Sequence, residues 1–221
     1  MKIYIFFIVS LFVFTGCTLE PPVINTEGNT FYSSKNPSIQ IELPIDFEYL
    51  GSIDKSFQAR RLNDSGQTDK AEKKIYLYGH LTNDNYLKKL IRISVLELKV
   101  GKHWTPETIR VKNPLKRDIV KLGMRNFQYG IKAKKTTGRL AAQYLLDKGI
   151  TTPRCNMWMV FGRVFGDNVK MYISYYEDVS NFKEFGIDSC EGWNEKEMLN
   201  DKQKEYLKEF EKRAHNSIKI L

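Results

Sequence analysis

Any chemistry in this chain must draw on few reactive side chains. The sequence holds three cysteines, Cys17, Cys155 and Cys190, and three histidines, His80, His103 and His215. No cysteine belongs to a CxxC pair, so a structural zinc site is poorly supported. A catalytic histidine needs a nucleophile or an acid beside it, and no G-x-S-x-G or H-E-x-x-H spacing supplies one. Each histidine is therefore expected to be structural or at the surface. Glu177 and Asp178 are adjacent, and Asp188 and Glu191 flank Cys190, but such carboxylates are expected to be solvated turn residues. The glycines form no G-x-G-x-x-G or G-x-x-x-x-G-K-[ST] loop, which argues against a nucleotide-dependent enzyme. No cofactor is expected.

The amino terminus is more informative. Lys2 is followed by the uncharged run IYIFFIVSLFVFTG, shorter than the roughly 20 apolar residues a membrane-spanning helix needs. It has the charged start and apolar centre of an export signal. The run closes on Phe14-Thr15-Gly16-Cys17, with small residues at the two positions before the cysteine. This stretch resembles the lipobox of bacterial lipoproteins. Phe14 stands where that family usually has an aliphatic residue. The resemblance covers residues 1–17 and implies cleavage before Cys17, acylation of its sulfur and a membrane anchor. Two or three acyl chains hold far better than one, at about 0.8 kcal/mol per buried methylene. Thr18, in place of an aspartate, implies sorting to the periplasmic face of the outer membrane in a diderm source.

That resemblance changes the cysteine count. With Cys17 acylated, Cys155 and Cys190 remain as an even pair in an exported chain, so a disulfide is expected; two separate buried thiols are the alternative. It also changes the meaning of the charge. Residues 110–139 hold ten basic residues against one acid, Asp118, which accounts for the whole positive excess of the mature protein. The plainer reading is a solvated helix face with a polar loop. The functional reading makes Lys116, Arg117, Lys121, Lys132, Lys134, Lys135 and Arg139 an anion-binding patch. Its partners would be anionic lipid, lipopolysaccharide, wall polymer or an acidic envelope protein. Phe127 and Tyr129 interleave with the charges, as on nucleic-acid surfaces, but an exported protein is not expected to meet nucleic acid.

The elements that position these residues follow from periodicity. Residues 18–37 are rich in Pro, Asn, Ser, Thr and Gly and read as a flexible tether. Alternation predicts strands at 38–43, 57–62, 74–79, 90–98 and 127–134, and two aromatic strands in a hairpin over 156–176. Asn113-Pro114, with Leu115, Ile119 and Leu122 at i, i+4 and i+7, predicts a helix ending at Gly123; residues 139–149 predict another. A long C-terminal amphipathic helix is expected from Asn200, with Gln203 at N3 and Leu207, Phe210, Ala214, Ile218 and Leu221 along one face. The expected fold class is α+β: a single domain over 38–221, an antiparallel sheet packed against helices. The opening NPSIQIELPIDFEYLG resembles that of PsbP-like domains, α/β/α sandwiches that often serve as accessory subunits on membranes.

The expected function is that of a lipid-anchored envelope lipoprotein with a binding or assembly role and no catalysis. The alternative is an envelope hydrolase whose site no motif marks. In that case His80 or His103 should meet Glu177, Asp178 or Asp188 in a pocket. A small-ligand carrier would instead enclose a cavity lined by Trp158, Phe161, Tyr172 and Tyr175.

Overall fold

Leu87–Leu98, rich in isoleucine and leucine, forms strand β6 at the centre of a seven-stranded antiparallel sheet. The structure, a computed structural model, describes residues 24–26, 28–34, 37–60, 68–98, 111–166 and 168–221. Upstream of β6 lie β1 (Ile24–Asn25), β2 (Thr30–Ser33), β3 (Ile39–Glu42), β4 (Glu48–Arg60) and β5 (Thr68–Leu81). Downstream come β7 (Lys116–Leu122), β8 (Arg125–Lys134), α1 (Arg139–Asp147), β9 (Asn156–Phe165), β10 (Val169–Asp178), α2 (Asp201–Asn216) and β11 (Lys219–Ile220). The large sheet has the order β4-β5-β6-β10-β9-β8-β7, two meanders joined along β6 and β10. A smaller sheet has the order β1-β2-β3-β11.

The chain is predominantly β, which corrects the α+β expectation. Among the described residues two antiparallel sheets make the framework, and the helices are α1, α2 and three short 3-10 turns. Residues 116–122, expected as a helix, are an edge strand. Asn113, the expected N-cap, has φ 49°, whereas an N-cap residue is extended. Gly123, at φ 58°, turns the chain into β8, and Leu122 pairs with Arg125. The long C-terminal helix is corrected too. It stops at Asn216, and Lys219–Ile220 pair with Glu42 and Ile41 instead. The edge of β3 offers hydrogen bonds to the end of the chain, so Ile220 is buried from a strand and Ile218 from the turn just before it. Part of the segment expected to be a tether is also strand, because Thr30–Ser33 pair along β3.

Two cores lie on opposite faces of the large sheet. One gathers Phe31, Ile41, Phe127, Phe161, Tyr175, Trp193 and Phe210, bringing in the small sheet, α2 and the 3-10 segment. The other packs Ala141 and Leu145 of α1 against Leu77, Leu90, Trp158, Val160 and Tyr176. Gly51 lets α1 approach β4: a Cβ there would stand 1.9 Å from the Tyr144 hydroxyl. Cys155, just before β9, is bridged to Cys190 of a 3-10 turn, with Cα atoms 5.5 Å apart.

Candidate functional site: a cationic face beside helix α1

Because residues 116–134 form a hairpin, strand alternation divides their charges between the two faces. Lys116 lies opposite Ile131, which faces the larger core. It ion-pairs with Glu211 of α2 at 2.8 Å, and Glu211 also accepts from the Tyr129 hydroxyl at 2.6 Å. Lys135, just past β8, pairs with Glu191 at 2.7 Å. These two members of the expected patch are neutralised within the fold. Arg117 and Lys121 lie opposite Gly130 and Asn126 and so point to the α1 face. Lys132 and Lys134 lie opposite Trp158 and Asn156 on that same face. Arg139 opens α1 and lines a groove of about 620 Å³ along that helix, with Ala142, Leu146 and Ile150.

The α1 face gathers further cations that sequence reading did not assign to a site. Arg92 stands opposite Ser174 on β10, and its guanidinium lies 5.4 Å from the Tyr176 ring centre. It donates to the Thr137 carbonyl, which also accepts from the Tyr176 hydroxyl at 3.2 Å. The Lys134 ammonium sits 3.4 Å from the centre of the Trp158 ring, and Trp158 stacks on Tyr176. Burial, then the charges of Arg92 and Lys132, push the Lys134 ammonium down to about 8. Burial, Arg92 and Lys55 likewise lower Lys73 of β5. The one hint in sequence was an arginine between two isoleucines, Ile91 and Ile93, in the middle of β6. Two carbonyls tie the neighbouring loop to this face: Lys132 donates to Lys112 O at 3.1 Å and Arg117 to Val111 O at 2.8 Å.

The other described candidates have structural positions. Cys17, His103 and Arg110 lie outside the described residues. His80 Nδ1 is 3.0 Å from Asp46 Oδ2. Glu177 is buried under Arg213, Tyr175 and Tyr206, while Asp178 binds Tyr86 and Lys88. His80 is therefore not joined to the carboxylates that a hydrolase site would have used. His215 packs edge-on against Tyr129 and Phe161, and burial holds its ring below the usual value although Glu211 acts the other way. Phe161 and Tyr175 belong to one core, Trp158 and Tyr172 to the other, so the four aromatics expected around a ligand do not share a cavity. Phe127 and Tyr129 are buried opposite the lysines they interleave. Among the described residues no His, Cys, Asp and Glu cluster could hold a metal ion, and no helix is long and apolar enough to cross a membrane.

No family model and no curated protein matches this sequence. A crystal structure from Bacteroides thetaiotaomicron VPI-5482 is similar over 70% of this chain and 43% of that one, with 11% identity and a TM-score of 0.36. The chain spans less than half the length of that protein, and no functional argument follows from the likeness.

Proposed function

We propose that this protein is a lipid-anchored lipoprotein of the cell envelope, held through acylated Cys17, that works by binding rather than catalysis. Its partner is the anionic phospholipid surface on which the anchor places it. In a diderm source that surface is the periplasmic face of the outer membrane. One observation carries the reading: Arg117, Lys121, Lys132, Lys134 and Arg92 share one face, while Lys116 and Lys135 are paired with acids away from it. The resemblance of Phe14-Thr15-Gly16-Cys17 to a lipobox supplies the membrane.

Each basic group near an anionic bilayer contributes about 1 kcal/mol, fading within a Debye length. Removing two should weaken face-on docking by about thirtyfold in low salt. The test is hydrogen exchange on the acylated protein in nanodiscs. Residues 111–139 should be protected in phosphatidylglycerol relative to phosphatidylcholine. Lys132→Gln with Lys134→Gln should abolish the difference, and Lys116→Gln with Lys135→Gln should leave it. Equal exchange in the two bilayers would refute membrane docking. Protection that appears only with added wall polymer or an acidic protein would replace the proposed partner.

A further inference from the structure

The start of α1 concentrates positive potential that no acidic residue of its first turn compensates. Gly138 is the N-cap, with φ 105° and no side chain to offer, and the first turn contains no acidic residue. The Gly138 N–H donates to the Thr136 hydroxyl at 3.1 Å, but the N-cap offers the first-turn N–H groups no side-chain acceptor, and the aligned peptide dipoles leave partial positive charge there. Arg92 reinforces that charge: a Cβ on Gly138 would stand 2.7 Å from its Nη1. The principal charges acting on Lys134 are Arg92 and Lys132, both repulsive. Arg92, with Lys134 beside it, thus adds to a helix end that favours anions.

A second observation is independent of charge. Thr137 Oγ1, Asn156 Nδ2 and Trp158 Nε1 are buried and without a hydrogen-bond partner, on residues no more than 8% exposed. Thr137 immediately precedes the N-cap, Asn156 lies opposite Lys134, and Trp158 lies opposite Lys132. Buried polar groups are nearly always paired, so three idle ones around the same cations imply an acceptor that binds there. Asp178, opposite Asn156, is taken up by the Tyr86 hydroxyl at 2.9 Å, the Ser180 N–H at 2.8 Å and Lys88 at 3.7 Å.

We propose that the N-terminus of α1 is a binding site for a phosphate-class oxyanion, held by the first-turn N–H groups together with Arg92, Lys134 and Thr137. A tetrahedral, multiply charged acceptor suits donors arriving from a helix end, a strand and a loop better than a planar carboxylate does. The site deepens the reading of the cationic face and rests on it for its access to lipid. Phosphate could arrive there as a phospholipid headgroup or as the free ion.

The test uses the full chain in detergent, titrated with inorganic phosphate against chloride at equal ionic strength, reading melting temperature and calorimetric affinity. A saturable, phosphate-specific rise is expected. Lys134→Met should weaken phosphate at least tenfold, and Lys116→Gln, on the opposite face and paired with Glu211, should change it less than twofold. Thr137→Val, nearly isosteric, should weaken phosphate several-fold and covers the case in which the lysine variant misfolds. If free phosphate also removes bilayer protection of 111–139, the natural ligand is a headgroup. If phosphate binds and protection is unaffected, the ligand is the free ion. The absence of any phosphate-specific effect on the unaltered protein would overturn the site, while bilayer protection would still stand as evidence for the docking face.

Discussion

The buried Glu177 cluster allows a quantitative prediction about what holds α2 on the sheet. Glu177, 6% exposed on β10, accepts from Arg213 Nε at 2.9 Å and Nη2 at 2.8 Å, from Tyr206 at 2.8 Å and from Tyr175 at 2.5 Å. Burial pushes the carboxyl up, but the bonds from Arg213, Tyr175 and Tyr206 and the Arg213 charge bring it below the ordinary carboxylate value. Arg213→Met removes two charge-assisted bonds and leaves a buried charge facing two phenols. Breaking a fully buried pair costs about 3–5 kcal/mol. The Arg213 side chain is 39% exposed, so water screens it and about 2 kcal/mol is the fitting figure.

The pH dependence follows from the direction of each shift. In the native protein the folded carboxyl lies below its unfolded value of 4.5, so its stabilisation is complete above that pH and lost as pH falls through the folded value. In the Arg213→Met protein burial dominates and the folded value rises above the unfolded one. Protonation then relieves the penalty, so the variant loses less on acidification. Urea unfolding followed by tryptophan fluorescence should show a gap of about 2 kcal/mol at pH 7 that narrows at about pH 4.5. Glu177→Gln added to Arg213→Met should recover part of the loss. A gap below about 0.5 kcal/mol at pH 7, or one of equal width at both pH values, would refute the reasoning.

Further expectations concern the bridge and the helix cap. Cys155→Ser with Cys190→Ser opens a bridge spanning 35 residues. The chain-entropy model gives a loss of about 4 kcal/mol, which urea midpoints on oxidised and reduced protein would measure; equal midpoints would contradict it. Asn200→Ala removes the side-chain acceptor of the Gln203 N–H at 2.9 Å and a 2.7 Å bond to Phe185 O, so stability should fall by about 1–2 kcal/mol. An unchanged melting temperature would show that the capping box contributes nothing.

Local chemistry made some of this architecture legible. The hairpin of β9 and β10 follows from two alternating aromatic runs around Gly166 and Asn168. The capping box of Asn200 and Gln203 is a signal contained within four residues. The hairpin over 116–134 was not legible, because Leu115, Ile119 and Leu122 satisfy a helical spacing, whereas period-two alternation puts Leu122 on the other face from Ile119. Ile119 is 62% exposed, so the helical stripe it suggested does not exist. Pairing of β8 with β9 makes that choice, through partners some thirty residues further along. The end of the chain behaves alike: its apolar spacing continues a helix on paper, but the open edge of β3 takes Lys219 and Ile220.

The amino-acid order alone determined how much charge this protein has, where along the chain it is concentrated, and the cysteines available for a lipid and a bridge. Which of those charges remain available was decided by tertiary structure. Strand alternation sends Lys116 to one face and Arg117, Lys121, Lys132 and Lys134 to the other. The acid that neutralises Lys116 lies 95 residues further along, on α2. Arg92 reaches the start of α1 from a strand 45 residues before Thr137. Electrostatic energy depends on distance in space, and a sequence gives only distance along the chain.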